Sequence, residues 1–164
     1  MRHITIILTL LSTQSFAFEI SNFKSGLACT DGVSFAWICH ELEDIYVSGQ
    51  SSCTFNKEKI PCTWHGFSFD YKDYDPSKKI HCQSTSSKQV KLGNPKEITD
   101  ENSNIFAYEF ELKEKSGFFI NPQDVGLTQV NIENAIESSY TSCTYENRKI
   151  FEFSKQFHYP VKNN

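Results

Sequence analysis

Six cysteines constrain this chain more than any other feature. They stand at Cys29, Cys39, Cys53, Cys62, Cys82 and Cys143, all downstream of an N-terminal segment patterned for export. Arg2 and His3 precede an almost unbroken apolar run from Ile4 to Leu11. Ser15-Phe16-Ala17 then places small residues where signal peptidase reads them. The expectation is a secretory signal peptide over residues 1–17, cleaved after Ala17. The apolar run is about half of the ~20 residues a spanning helix needs, so no membrane span is expected. An even cysteine count behind such a segment reads as a disulfide framework made in an oxidising compartment, secreted or periplasmic. Zinc is the competing use of these cysteines. No Cys-x2-Cys pair exists, and Cys39-His40 and His81-Cys82 are neighbours poorly placed to share one ion. No metal and no cofactor is expected.

Six cysteines permit fifteen pairings, and sequence alone does not select one. Cys53 and Cys62 flank two β-rich arms around an expected four-residue turn, Asn56 to Lys59. Pairing Phe55 with Ile60 sets Cys53 directly opposite Cys62, within reach of a bridge once local twist is added. Cys29 and Cys39 are spaced similarly about Thr30-Asp31-Gly32, which leaves Cys82 to Cys143.

The remaining pattern is that of a mostly β chain. The 164 residues include 14 Phe and 7 Tyr, and short aromatic or β-branched runs recur between turn-like clusters, as in a sandwich or barrel. Strands are expected at Phe18–Phe23, Val33–Cys39, Asp44–Val47, Ser52–Trp64, Phe67–Lys72, Lys79–Thr85, Ile105–Lys113 and Phe118–Ile120, the last closed by Asn121-Pro122. A C-terminal hairpin should join Tyr140–Tyr145 to Ile150–Phe153 across Glu146–Lys149. Ser84–Ser87 and Leu92–Asn104 read as loop. Asn131–Ser138 is the single candidate for a short helix. One domain over 18–159 is expected, with a disordered tail at 160–164.

Function is less constrained. Net charge is −4 with no block of Lys or Arg, so nucleic acid is not the expected partner. No Asn is followed two places later by Ser or Thr, which favours a bacterial over a metazoan origin. There is no Gly-x-Ser-x-Gly elbow, and bridged cysteines leave no thiolate nucleophile. His40 beside Glu41, Glu43 and Asp44 reads as a solvated turn. No catalytic residue is assigned, and the chain is expected not to be an enzyme. The best binding candidate is Phe67–Pro76, with Phe67 and Phe69 in the core and Tyr71, Asp73, Tyr74 and Asp75 as partner-binding residues in an acidic, Tyr-rich loop. Such a loop would suit a basic protein. A calcium site at Asp70, Asp73 and Asp75 lacks the EF-hand pattern. Unpaired sheet edges also open a route to a homodimer.

Two short cysteine loops in series, Cys29-x9-Cys39 and Cys53-x8-Cys62, the second followed by Thr63-Trp64, resemble the N-terminal module of class I cytokine receptors. In an exported bacterial chain the pattern is similar to the interleukin receptor mimic protein family. The resemblance covers residues 29–64. It implies an antiparallel, fibronectin-III/immunoglobulin-like β-sandwich, Trp64 packed in its core, and non-enzymatic binding of a host interleukin. The chain departs from the receptor pattern in three ways. The Trp follows the second loop rather than the first, no Trp-Ser-x-Trp-Ser motif occurs, and Cys82 and Cys143 lie outside the match. Two other readings suit the same scaffold. One is a periplasmic inhibitor or immunity protein against a lysozyme, protease or toxin. The other is a small secreted hydrolase, which needs His40, His65 or His81 to meet a carboxylate.

Overall fold

Alternation of apolar and polar residues along extended chain produces ten strands and, among the described residues, no helix. The computed structural model describes residues 17–55, 57–87, 104–127 and 135–161. The strands are β1 (Glu19–Thr30), β2 (Phe35–Glu41), β3 (Asp44–Tyr46), β4 (Ser51–Phe55), β5 (Glu58–Lys72), β6 (Ile80–Ser86), β7 (Ile105–Phe110), β8 (Gly117–Gly126), β9 (Ile136–Tyr145) and β10 (Arg148–His158). They form two sheets. The first runs β2-β1-β5-β4, with β8 also pairing β5; the second runs β3-β10-β9-β6-β7. Pairing is antiparallel except for the short parallel contact of β3 with β10.

An aromatic core lies between the sheets. Phe67, Phe69 and Tyr71 alternate along β5 and meet Phe151 and Phe153 of β10, Phe110 of β7 and Phe119 of β8. Phe67 and Phe69 are fully buried, with ring centroids 5.2 and 5.4 Å from Phe151. Each buried Phe stabilises the fold by roughly 1.5–3 kcal/mol relative to exposure. Phe18, the residue after the expected cleavage point, closes one end of this core against Tyr74 and Tyr145. A smaller cluster gathers Ile45, Val47 and Phe157.

Three disulfides staple the sheets: Cys29–Cys39 across β1 and β2, Cys53–Cys62 across β4 and β5, and Cys82–Cys143 across β6 and β9. No described cysteine is free. This framework fits an oxidising setting, extracellular or periplasmic. The expected signal peptide at 1–17 lies outside the described residues except for Ala17. Among the described residues no helix is long and apolar enough to cross a membrane.

The structure departs from the sequence expectations in detail. Phe55 pairs with Glu58, not Ile60, so the β4–β5 turn holds two residues rather than four, with Lys57 at φ 70°. Cys53 is therefore opposite Ile60 and reaches Cys62 diagonally, with Cα atoms 5.8 Å apart. A slide of two residues keeps every side chain on its face, because the strand period is two. The Ser52–Trp64 and Phe67–Lys72 strands merge into one, as β5 continues through Gly66. There the chain packs so closely that a Cβ would lie 2.2 Å from the Asn121 carbonyl oxygen.

β8 likewise runs through Asn121-Pro122, with Pro122 paired to Gly66. Proline is tolerated where its missing N–H faces no partner strand. Ser84–Ser86 are strand and not loop, because their inward hydroxyls find partners: Ser84 with Thr141 at 2.6 Å, Ser86 donating to Glu137 at 2.7 Å. Of the helix expected at 131–138, Ile136–Ser138 belong to β9 and residues 131–134 lie outside the described set. The C-terminal hairpin turns on Glu146 and Asn147 alone, both at positive φ, the geometry that matches strand twist in a two-residue turn. Of the expected loop at 92–104, only Asn104 is described. Of the expected tail, Pro160 and Val161 are described.

Candidate functional site

The Tyr-rich segment after β5 does not present its tyrosines to a partner. Tyr71 is buried, and Tyr74 is 1% exposed, its ring edge-on to Phe18 and its hydroxyl donating to the Lys78 carbonyl. Burial pushes the Tyr74 phenol above its ordinary value. Both are therefore core residues, a correction to their expected role as contact surface. Apolar ring area is worth more buried than the flanking aspartates are worth in steering it outward. Asp73 and Asp75 remain exposed beside a shallow recess of about 280 Å³ that Lys115 also lines. Asp75 accepts from the Ser77 amide at 3.0 Å and its hydroxyl at 2.8 Å, which holds its carboxyl below the usual range. Its work is to fix the turn. Asp70, the third candidate for calcium, accepts from Asn22 at 2.7 Å.

A better candidate surface is the outward face of the second sheet. Register places its side chains in rows across the strands. Ile105, Thr85, Tyr140 and Ser154 form one row; Ala107, Gln83, Ser142 and Glu152 form the next; Glu109, His81, Thr144 and Lys149 lie beyond. In the other direction Ser138, Gln156 and Asp44 make a row, and Ile136, His158 and Tyr46 make the last. Short Ser, Thr and Ala side chains alternate in these rows with longer polar ones and with Ile and Tyr. The large apolar groups of this face are exposed: Tyr140 is 43% exposed, Ile136 50% and Tyr46 69%.

Its ionic groups contact one another. Lys149 pairs with Glu152 at 2.7 Å, His81 and Lys79 with Glu109 at 2.9 and 3.1 Å, and His158 with Asp44 at 2.6 Å. The Tyr140 hydroxyl donates to Glu152, which fixes the ring, while Tyr46 stacks on His158 with centroids 4.6 Å apart. Exposed tyrosines held in place by neighbouring side chains supply contact area at small entropic cost.

The histidines disperse. His40 is exposed on β2, His81 lies on the outward face just described, and His65 is in the interior. No group of three or more His, Cys, Asp or Glu among the described residues is placed to hold a metal. Trp64 is half-buried against Phe35, with centroids 4.4 Å apart.

One interior feature went unread in the sequence. Lys155 is 2% exposed, its ammonium 2.9 Å from the Gly66 carbonyl and 3.0 Å from His65 Nδ1, and 5.0 Å from the Phe153 ring centroid. The signal was available: Phe151, Phe153, Lys155 and Phe157 share one face of a strand at period two. Ending the strand at Phe153 concealed it. The outward face was missed for a related reason, since alternation marks which residues point away from a core but not which strands lie side by side.

No protein-family model matches the chain, and no curated protein matches it.

Proposed function

We propose that this chain is an exported, non-enzymatic binding protein that engages another protein through the outward face of its second sheet. The observation that carries the reading is the set of exposed Tyr140, Tyr46 and Ile136 on a sheet face whose lysine and carboxylate side chains are engaged with neighbours. Apolar anchors ringed by small polar groups are the composition of protein-recognition surfaces. Because the charges are internally paired, the partner is selected by shape and hydrogen bonding more than by net charge, unlike the basic protein that the Asp73 and Asp75 loop would draw.

The two local cysteine loops favour a host interleukin as the partner, bound by a receptor-like module; Trp64, half-buried and outside the core, lends that reading nothing. Biolayer measurements against a panel of interleukins test this, with Tyr140→Ala as the comparison. Micromolar or tighter binding to a panel member, weakened by Tyr140→Ala, supports it. No binding across the panel retires the interleukin version. Binding that Tyr140→Ala leaves unchanged removes the proposed face.

A further inference from the structure

Between the aromatic core and the smaller apolar cluster around Ile45 and Phe157 the interior turns polar, and that polar layer holds a lysine. Lys155 projects from β10 in the second sheet, donates to the Gly66 carbonyl of β5 in the first, and lies 3.0 Å from His65 Nδ1 on the same strand. With Nζ as donor, His65 Nδ1 is the acceptor, so the imidazole is neutral and carries its proton on Nε2. His65 also meets Phe157 edge-on at 4.9 Å.

Among the described residues no carboxylate offsets the charge. On β9 the residue opposite Lys155 is Ser139, and the nearby inward acid, Glu137, is occupied by Ser86 and by Tyr159 at 3.0 Å. On β3 the buried residue is Ile45, while Asp44 holds His158 on the outside. On β1 the residues aligned with Phe67 and His65 are Ser25 and Leu27, and the Ser25 hydroxyl is buried without a partner. On β8, Asp124 aligns with Trp64, on the opposite face of the sheet from His65.

We propose that Lys155 and His65 form an acid-sensitive link between the two sheets, so that their packing loosens as the surroundings acidify. Burial lowers the Lys155 pKa from 10.5 to about 7, and burial followed by the Lys155 charge holds His65 well below 6.5. Both groups bind protons more weakly folded than unfolded. Stability is therefore fully present above the unfolded value and is lost as pH falls toward the folded one. For Lys155 that window runs from about 10.5 down to about 7, and for His65 it opens below 6.5. Neither the outward face nor its partner enters this inference.

The test is urea unfolding of the full mature chain at pH 8.5 and pH 6, for wild type, Lys155→Met and His65→Gln. From the Lys155 values alone, the wild-type unfolding constant should rise about thirty-fold over that interval. Lys155→Met should lose most of that rise while remaining folded. Equal pH dependence in wild type and Lys155→Met overturns the proposal. Should Lys155→Met fail to fold, hydrogen exchange on the wild type decides. Amides of residues 64–67 and 154–157 must lose protection at pH 6 ahead of those around Cys82 and Cys143. Uniform loss, or none, refutes the link.

Discussion

Replacing Cys82 and Cys143 together by alanine should cost more stability than removing either local bridge, and the difference follows from chain length. In the chain-entropy model the stabilisation grows with the logarithm of the closed loop. The separations are 61 residues for Cys82–Cys143, 9 for Cys53–Cys62 and 10 for Cys29–Cys39. These correspond to about 4.3, 2.6 and 2.7 kcal/mol at 25 °C. Position reinforces the order. Cys82 and Cys143 are directly opposed at the centre of the second sheet, with Cα atoms 4.1 Å apart, and both line the aromatic core.

The expected gap between the double mutants is therefore at least ~1.6 kcal/mol, or roughly 5 °C in Tm for a domain of this size. Urea and thermal melts followed by circular dichroism, without reductant, would measure it. The m value should rise most in the Cys82→Ala/Cys143→Ala protein, whose unfolded chain is released from the longest loop. Equal losses, or a larger loss for Cys53→Ala/Cys62→Ala, would refute the loop-length reasoning.

Other expectations concern single positions. Phe67→Ala should lose about 3–5 kcal/mol in chemical unfolding, because the ring is fully buried against six other phenylalanines; a loss under 1 kcal/mol would mean the two sheets do not meet there. Tyr140→Ala should shift stability by no more than ~1 kcal/mol while weakening partner binding by at least ~1 kcal/mol, read by melts and biolayer titration. N-terminal sequencing of the exported protein should begin Phe18-Glu19-Ile20; any start beyond Phe18 would remove a ring that the core requires.

What the sequence disclosed depended on how local the cause was. Hairpin chemistry is local, so the pairs Cys29–Cys39 and Cys53–Cys62 were readable from spacing, and the third followed by remainder. Face assignment is local too: the alternation of Phe67, Phe69 and Tyr71 marks a buried side whichever strands surround it. Register is less so, and the β4–β5 turn came out two residues shorter than drawn, because Lys57 accepts a left-handed backbone that its residue type does not advertise. Continuation through Gly66 and Pro122 depends on which neighbour lies alongside, which is not written in either segment.

Tyr74 and Lys155 show the same limit from opposite sides. Tyr74 sits between aspartates and looks exposed, yet the turn at Asp75 folds it onto Phe18. Lys155 carries a charge and looks exposed, yet it stands in phase with Phe153 and Phe157. In both cases strand phase and tertiary contact outweigh the character of the nearest residues.

Disulfide mapping by mass spectrometry on the unreduced, exported protein tests the scaffold most directly. Peptides joined as Cys29–Cys39, Cys53–Cys62 and Cys82–Cys143, with no alkylated thiol under denaturing conditions, are the predicted result. A free cysteine, or any bridge that crosses these pairs, would contradict the two-sheet arrangement on which the proposed recognition face and the buried lysine both rest.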